Sequence, residues 1–260
     1  MRYPYIFLVL LISFTVSSCT SIDSLNRSSL QLIPQDRLIH LSNQEFSKLK
    51  KESTLSGNKK YLAQIKRVID RLSPFVPMPS GLSADDWEFI LIDDADSINA
   101  FALPGAKIGV YTGLFKIVES ESDLAVVIGH EMAHVVAQHG GERMSQQIVA
   151  LGGSIILSQA TKGDSQEDRE RLAMIYGLGS SFGVLLPYSR LHETEADRLG
   201  LIYMAQAGYD PRVAIPFWER MEKEKSFKIP EFLSTHPSSE NRIMELRSLM
   251  NEAMVYYNEK

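Results

Sequence analysis

A single cysteine, Cys19, stands in 260 residues, so no disulfide can staple this chain internally. Positive charge is not in excess either: 27 Lys and Arg face 32 Asp and Glu, for a formal net charge of -5. No basic cluster gathers on one segment, which argues against a nucleic-acid-binding surface. Self-similarity at a period of about 20 to 50 residues is absent, and with it any repeat architecture. Long apolar runs are missing too. The candidates, Ile6 to Ile12 and Ile148 to Ile156, fall short of the about 20 residues that a bilayer-spanning helix needs. What remains is a globular composition, 44 % hydrophobic and 23 % charged, sufficient for one sizeable core.

The N-terminus carries Arg2, the apolar run, and small residues ending at Val16-Ser17-Ser18-Cys19, the layout of a secretory signal peptide. Residues 1-18 are therefore expected to be a lipoprotein signal peptide. Cys19, placed as in a bacterial lipoprotein cleavage box, is expected to carry the lipid, a palmitate-type acyl group. An uncleaved anchor and a free buried thiol are the alternatives. Thr20 is not the Asp that typically retains such lipoproteins at the inner membrane. The resemblance thus implies a protein lipid-anchored to a bacterial cell membrane and facing the periplasm, with the outer membrane favoured. Residues 19-44, rich in Ser, Asn and Gln, read as a spacer, and residues 45-260 as one folded domain.

Apolar spacing predicts two helical pieces between Glu45 and Val76, split at Ser56-Gly57-Asn58. Three β-branched and aromatic runs, Trp87 to Ile92, Ile98 to Leu103 and Lys107 to Thr112, read as a small sheet. Everything after residue 113 reads as helical: Asp123 to Gln138, Glu142 to Gln159, Gln166 to Leu178, Ser189 to Ala207, Pro211 to Lys225 and Ser238 to Tyr257. The glycine-containing stretch Ile148 to Ile156 reads as a core helix or a membrane-facing surface.

From Leu124 to Ala137, ten of fourteen residues are apolar, so this helix must be largely buried. Yet it carries His130, Glu131 and His134. A buried carboxylate without a partner is costly, and ion pairing or metal coordination is the usual escape. His130 and His134, four apart, share a helical face at a separation suited to chelating one ion, with Glu131 beside them. This is the HExxH arrangement, which alone is not sufficient. Catalytic zinc sites take three protein ligands and leave a fourth position for water. Glu193 fits the third place, and Asp197, four residues on and on the same face, can orient a ligand histidine. Glu195 is expected to point elsewhere. Gly140 and Ala137 stand where a metzincin would need His and Gly, which excludes that class. His139, next to Gly140-Gly141, reads as a polar helix-end residue, His192 as turned away, and His40 has no motif around it.

These residues resemble the gluzincin-type membrane-associated proteases that include the CAAX prenyl endopeptidases, HtpX-like heat-shock proteases and periplasmic lipoprotein relatives. The resemblance runs from Asn99 to Arg242. It includes Asn99-Ala-Phe-Ala-Leu-Pro-Gly105, Val110-Tyr-Thr-Gly-Leu114, the HExxH helix, the Glu193/Asp197 helix, and Ser234-Thr-His-Pro-Ser-Ser-Glu-Asn-Arg242. One departure is Gly105-Ala106, where relatives often show two glycines. The resemblance implies an α+β, mostly helical, zincin-like (gluzincin) domain with a small mixed sheet packed on the HExxH helix and a second zinc-ligand helix. It implies one Zn2+ per chain, and an edge strand at Ala100, Phe101 and Ala102 to which an extended substrate would add. His236 would correspond to a histidine that in some relatives caps the zinc and keeps the enzyme latent. Arg242 could pair with a cleft carboxylate or stabilise an oxyanion, although a surface arginine on a helix is the commoner case.

The expected activity is that of a membrane-anchored zinc endopeptidase in envelope protein quality control, acting on unfolded or misassembled envelope proteins. Glu131 would be the general base. The alternative is a latched, inactive zinc-binding lipoprotein that serves as a chaperone or assembly factor.

Overall fold

The computed structural model describes residues 19–22, 25–163, 165–180, 186–224, 236 and 241–258. The expected signal peptide and most of the stretch 234–240 lie outside the described residues. Strands β1 (Cys19–Ile22) and β2 (Arg27–Leu30) pair antiparallel, with Cys19 opposite Leu30. Helices α1 (Gln35–Glu52) and α2 (Lys59–Leu72) follow, then β3 (Glu88–Ile92), β4 (Ala100–Leu103) and β5 (Lys107–Tyr111). The sheet order is β3-β5-β4, with β3 parallel and β4 antiparallel to the central β5. Six α-helices follow among the described residues: α3 (Glu121–Val136), α4 (His139–Ala160), α5 (Gln166–Ser180), α6 (Leu186–Gln206), α7 (Ala214–Glu224) and α8 (Arg242–Asn258). The fold is the expected α+β, mostly helical, zincin-like domain with a small mixed sheet.

The spacer expected over residues 19-44 is not what the structure shows. α1 begins at Gln35, and Leu38, Ser42 and Phe46, at i, i+4 and i+8, form one buried face that runs straight across the expected boundary at Glu45. Upstream of α1, Arg27 reaches Glu142 and Glu195 in the interior. Polar composition misled here because a helix needs only a narrow buried stripe, and that stripe on α1 includes the polar Ser42.

α3 is the centre of the molecule. Its start is a capping box: Asp123 N donates to Ser120 Oγ at 3.2 Å, and Ser120 N to Asp123 Oδ2 at 3.0 Å. Every residue from Asp123 to Val136 is buried, because α2, β4, α6 and α7 all pack on this helix. α3 and α6 approach backbone to backbone. A Cβ on Gly200 would lie 2.9 Å from His130 N, and one on Gly129 would lie 3.1 Å from Gly200 O. A side chain at Gly200 would force the helices apart and one at Gly129 would crowd them, and the crossing brings Glu193 and Asp197 of α6 against His130 and His134 of α3. Ala106, where the resembling family often has a second glycine, holds the left-handed backbone that glycine favours, with φ +58.

Candidate metal centre

His130, His134, Glu193 and His236 converge, with one ligand atom from each lying within 4.8 Å of the others. His130 Nε2 is 3.0 Å from His134 Nε2 and 3.1 Å from Glu193 Oε2. His134 Nε2 is 3.4 Å from Glu193 Oε1. His236 Nδ1 lies 3.3 Å from His130 Nε2 and 3.2 Å from Glu193 Oε2. Four donors about 2.0 Å from one tetrahedral ion are separated by about 3.3 Å, so this set has the dimensions of a zinc site.

The hydrogen bonds behind the two α3 histidines decide which way their lone pairs face. His130 Nδ1 is 2.9 Å from Asp197 Oδ1, a carboxylate that only accepts, so Nδ1 carries a proton. His139 Nε2 is 2.8 Å from Glu195 Oε2 and donates to it. Its Nδ1 therefore accepts, and the 2.8 Å contact with His134 Nδ1 is a bond donated by His134. In the neutral rings both Nε2 atoms then turn lone pairs toward each other at 3.0 Å, beside the Glu193 carboxylate. Such an arrangement demands a cation. In the metal-free protein a proton meets the demand: burial alone would lower the pKa of His130, but hydrogen bonds to Asp197 and Glu193 win and push it up to about 9. Burial lowers His134 well below its ordinary value. Burial would raise Glu193, but its electrostatic interactions with the neighbouring His134 and His236 rings and its hydrogen bonds with His130 and His134 hold it well below the carboxylate range.

Glu131 sits against this cluster and outside its donor set. Burial pushes its carboxyl up, opposed by His236 and His130. Its Oε1 accepts no hydrogen bond and lies 3.4 Å from His236 Nε2.

Four of the readings made from sequence change. His139 does stand at a helix end, the first residue of α4, but it is no bystander: Gln138, at φ +54, turns the chain between α3 and α4 so that His139 is fully buried behind His134. Glu195 and His192 do not point away. Arg27 Nε and Nη2 bind Glu195 at 2.6 and 2.8 Å, and Nη2 binds Glu142 Oε2 at 2.9 Å. His192 Nε2 lies 3.1 Å from the same Glu142 oxygen and stacks on His139 with ring centroids 4.2 Å apart. Burial would raise Glu142, but His192 and Arg27 bring it down to about 2. Arg242 is not a surface arginine. It is 2 % exposed, donates to Asp197 Oδ1 at 2.6 Å and lies 3.4 Å from the Trp218 ring centroid, which makes it a group that holds Asp197. No spacing rule could find His139 or Arg27, because an αL residue and a separate strand deliver them. Ala100, Phe101 and Ala102 lie on β4, which has a sheet neighbour on one side only among the described residues. Ala102, Pro104, His134 and Arg143 line a cleft beside it.

A family model described as peptidase family M48 matches residues 60–250. The chain belongs to peptidase family M48. Among curated M48 relatives, it is 38 % identical over 178 residues to the mitochondrial metalloendopeptidase OMA1 of Schizosaccharomyces pombe, covering 68 % of this chain and 50 % of the relative. It is 32 % identical over 238 residues to the human mitochondrial metalloendopeptidase OMA1, covering 88 % and 45 %. The β-barrel assembly-enhancing protease of Escherichia coli is 31 % identical over 176 residues, covering 64 % and 35 %. This chain thus spans half or less of the length of these relatives. The M48 matches also overturn one expectation, the lipid-anchored placement on a bacterial membrane with the outer membrane favoured. Four relatives at 32 to 38 % identity are named as mitochondrial proteins, and a four-residue cysteine box is too short a pattern to weigh against matches over most of the chain.

Proposed function

We propose that this chain is a zinc-dependent endopeptidase. The observation that carries it is the pair of Nε2 lone pairs of His130 and His134, fixed by hydrogen bonds to face each other at 3.0 Å beside Glu193, with the buried carboxyl of Glu131 alongside. His130, His134 and Glu193 would hold the metal. A zinc ion there supplies Lewis acidity toward a water and a substrate carbonyl. Asp197, itself held by Arg242, keeps the proton of His130 on Nδ1, and Glu195 does the same for His134 through His139. Glu131 accepts the proton of the attacking water and returns it to the leaving amine nitrogen; a carboxyl pushed up by burial is suited to that exchange. An extended polypeptide would pair with the free edge of β4 at Ala100, Phe101 and Ala102. Its substrates are unfolded or misassembled envelope proteins, a reading that the name of the Escherichia coli relative supports.

His236 supports a second reading, a latched zinc-binding chaperone. It fills the fourth donor place and lies 3.4 Å from Glu131, where the attacking water has to stand. The two readings separate when zinc content and cleavage of unfolded casein are measured for the wild type, Glu131→Gln and His236→Ala. Cleavage lost in Glu131→Gln with zinc retained, and raised in His236→Ala, is the outcome expected of a protease with a movable fourth donor. Stoichiometric zinc with no cleavage in any variant would move the assignment to the chaperone.

A further inference from the structure

The hairpin of α4 and α5 carries an open apolar face. On α4, Ile148, Val149, Leu151, Ile155 and Ile156 are 47 to 70 % exposed. On α5, Leu172, Met174 and Ile175 are 38 to 67 % exposed. Between Met144 and Thr161 there is no charged side chain. The two helices meet through their other sides, where Tyr176 Oη donates to Ala150 O at 2.8 Å and a Cβ on Gly153 would fall 2.1 Å from that hydroxyl. The five α4 residues alone expose on the order of 500 Å², at the upper end of the about 300–600 Å² of the largest apolar patch on a typical monomer, a patch that is often functional.

Where the rest of the chain leaves the body indicates what covers this face. The β1–β2 pair lies at the base of α4: Leu32 N donates to Ser145 Oγ at 2.9 Å, and Gln31 Nε2 to Gln138 O at 3.2 Å. The chain enters β1 at Cys19 from the eighteen residues that contain the apolar run Ile6 to Ile12. The chain outside the described residues therefore joins the body beside the base of α4. The width of the face points the same way. At 100° per residue, the arc on α4 from Leu151 through Ile148 to Val149 spans about 160°, wider than the narrow seam of a helix that packs on a partner helix. A bilayer accepts so broad a face without positional complementarity.

We propose that the α4–α5 hairpin docks on a lipid bilayer, lying along its surface. No helix among the described residues is long and apolar enough to cross a membrane. Exposed Glu167, Asp168, Arg169, Glu170 and Arg171 at the start of α5 keep that end in water. Because the α4 face is uncharged, docking depends on apolar area and not on anionic headgroups.

Fluorescence of the full chain with Ile155→Trp or Gln166→Trp tests this, against the background of native Trp87 and Trp218. Vesicles are phosphatidylcholine with brominated acyl chains, with and without phosphatidylserine. Because the N-terminal apolar run can bind vesicles by itself, flotation only selects bound protein, and quenching reports on the hairpin. The expected result is loss of more than half of the emission added by Ile155→Trp and little loss from Gln166→Trp, equal in neutral and anionic vesicles. Floated protein whose Ile155→Trp emission is unquenched would overturn the proposal. So would a blue shift of that emission that grows with protein concentration in lipid-free buffer, the mark of a second copy on this face.

Discussion

Replacing Glu195 by Gln leaves a single acceptor oxygen for Arg27 and His139 to share, and so loosens the control of the His139 tautomer without touching a metal donor. With Glu195 present, His139 Nε2 donates across 2.8 Å, leaving Nδ1 to accept from His134. A Gln side chain can offer its NH₂ instead, which lets His139 reverse and moves the proton of His134 from Nδ1 to Nε2, into the donor cluster. That proton must be displaced before a metal binds. Loss of a hydrogen bond behind a ligand histidine typically weakens metal affinity 10–100-fold, about 1.4 to 2.7 kcal/mol. The upper half of this range is expected, because His134 is fully buried and no water can replace the relay. Competition with a chromogenic chelator gives the zinc affinity, and long-range proton–nitrogen correlation of the histidines gives the tautomer. Arg27 keeps Glu142 as a partner at 2.9 Å, so the metal-free fold should survive and its melting serves as the control. Wild-type zinc affinity in Glu195→Gln, or a His134 proton still on Nδ1, would refute the relay.

Arg27→Ala should cost about 2 to 4 kcal/mol of stability in denaturant titration, because it leaves Glu195 and Glu142 facing each other largely buried without a cation. Unchanged stability would return residues 19–34 to the status of a spacer. Gly200→Ala should destabilise by about 1 to 3 kcal/mol despite the better helix propensity of alanine. Its Cβ meets the His130 backbone at 2.9 Å, so zinc affinity should fall with it. The pH dependence of metal-free stability should follow His130, raised from 6.5 to about 9. A raised pKa contributes its full stabilisation below the unfolded value and loses it as pH climbs to the folded one, so melting of chelator-treated protein should fall between pH 6.5 and 9. Zinc needs the deprotonated ring, so the rise in melting temperature on adding zinc should grow across that window, and a constant increment would contradict the assignment.

Local patterns in the sequence carried the helices, the three strands and the pairing of His130 with His134, since all of these repeat at the period of one element. The choice of Glu193 and Asp197 was legible for the same reason: both lie on one face of a single helix. What the sequence hid was held together by residues far apart in the chain. The relay from His134 through His139 to Glu195 and Arg27 needs a left-handed Gln138 and a strand more than a hundred residues upstream. The burial of Arg242 depends on Trp218 from another helix.

The sequence by itself determined that a buried helix would carry two metal-compatible histidines and a carboxylate, because 3.6-residue periodicity acts within a helix and needs no partner. Only the tertiary structure decided how those groups are protonated and aimed. Tautomer, pKa and ligand direction depend on atoms about 3 Å away, and the packing of α3 on α6 at Gly129 and Gly200 selects which atoms those are.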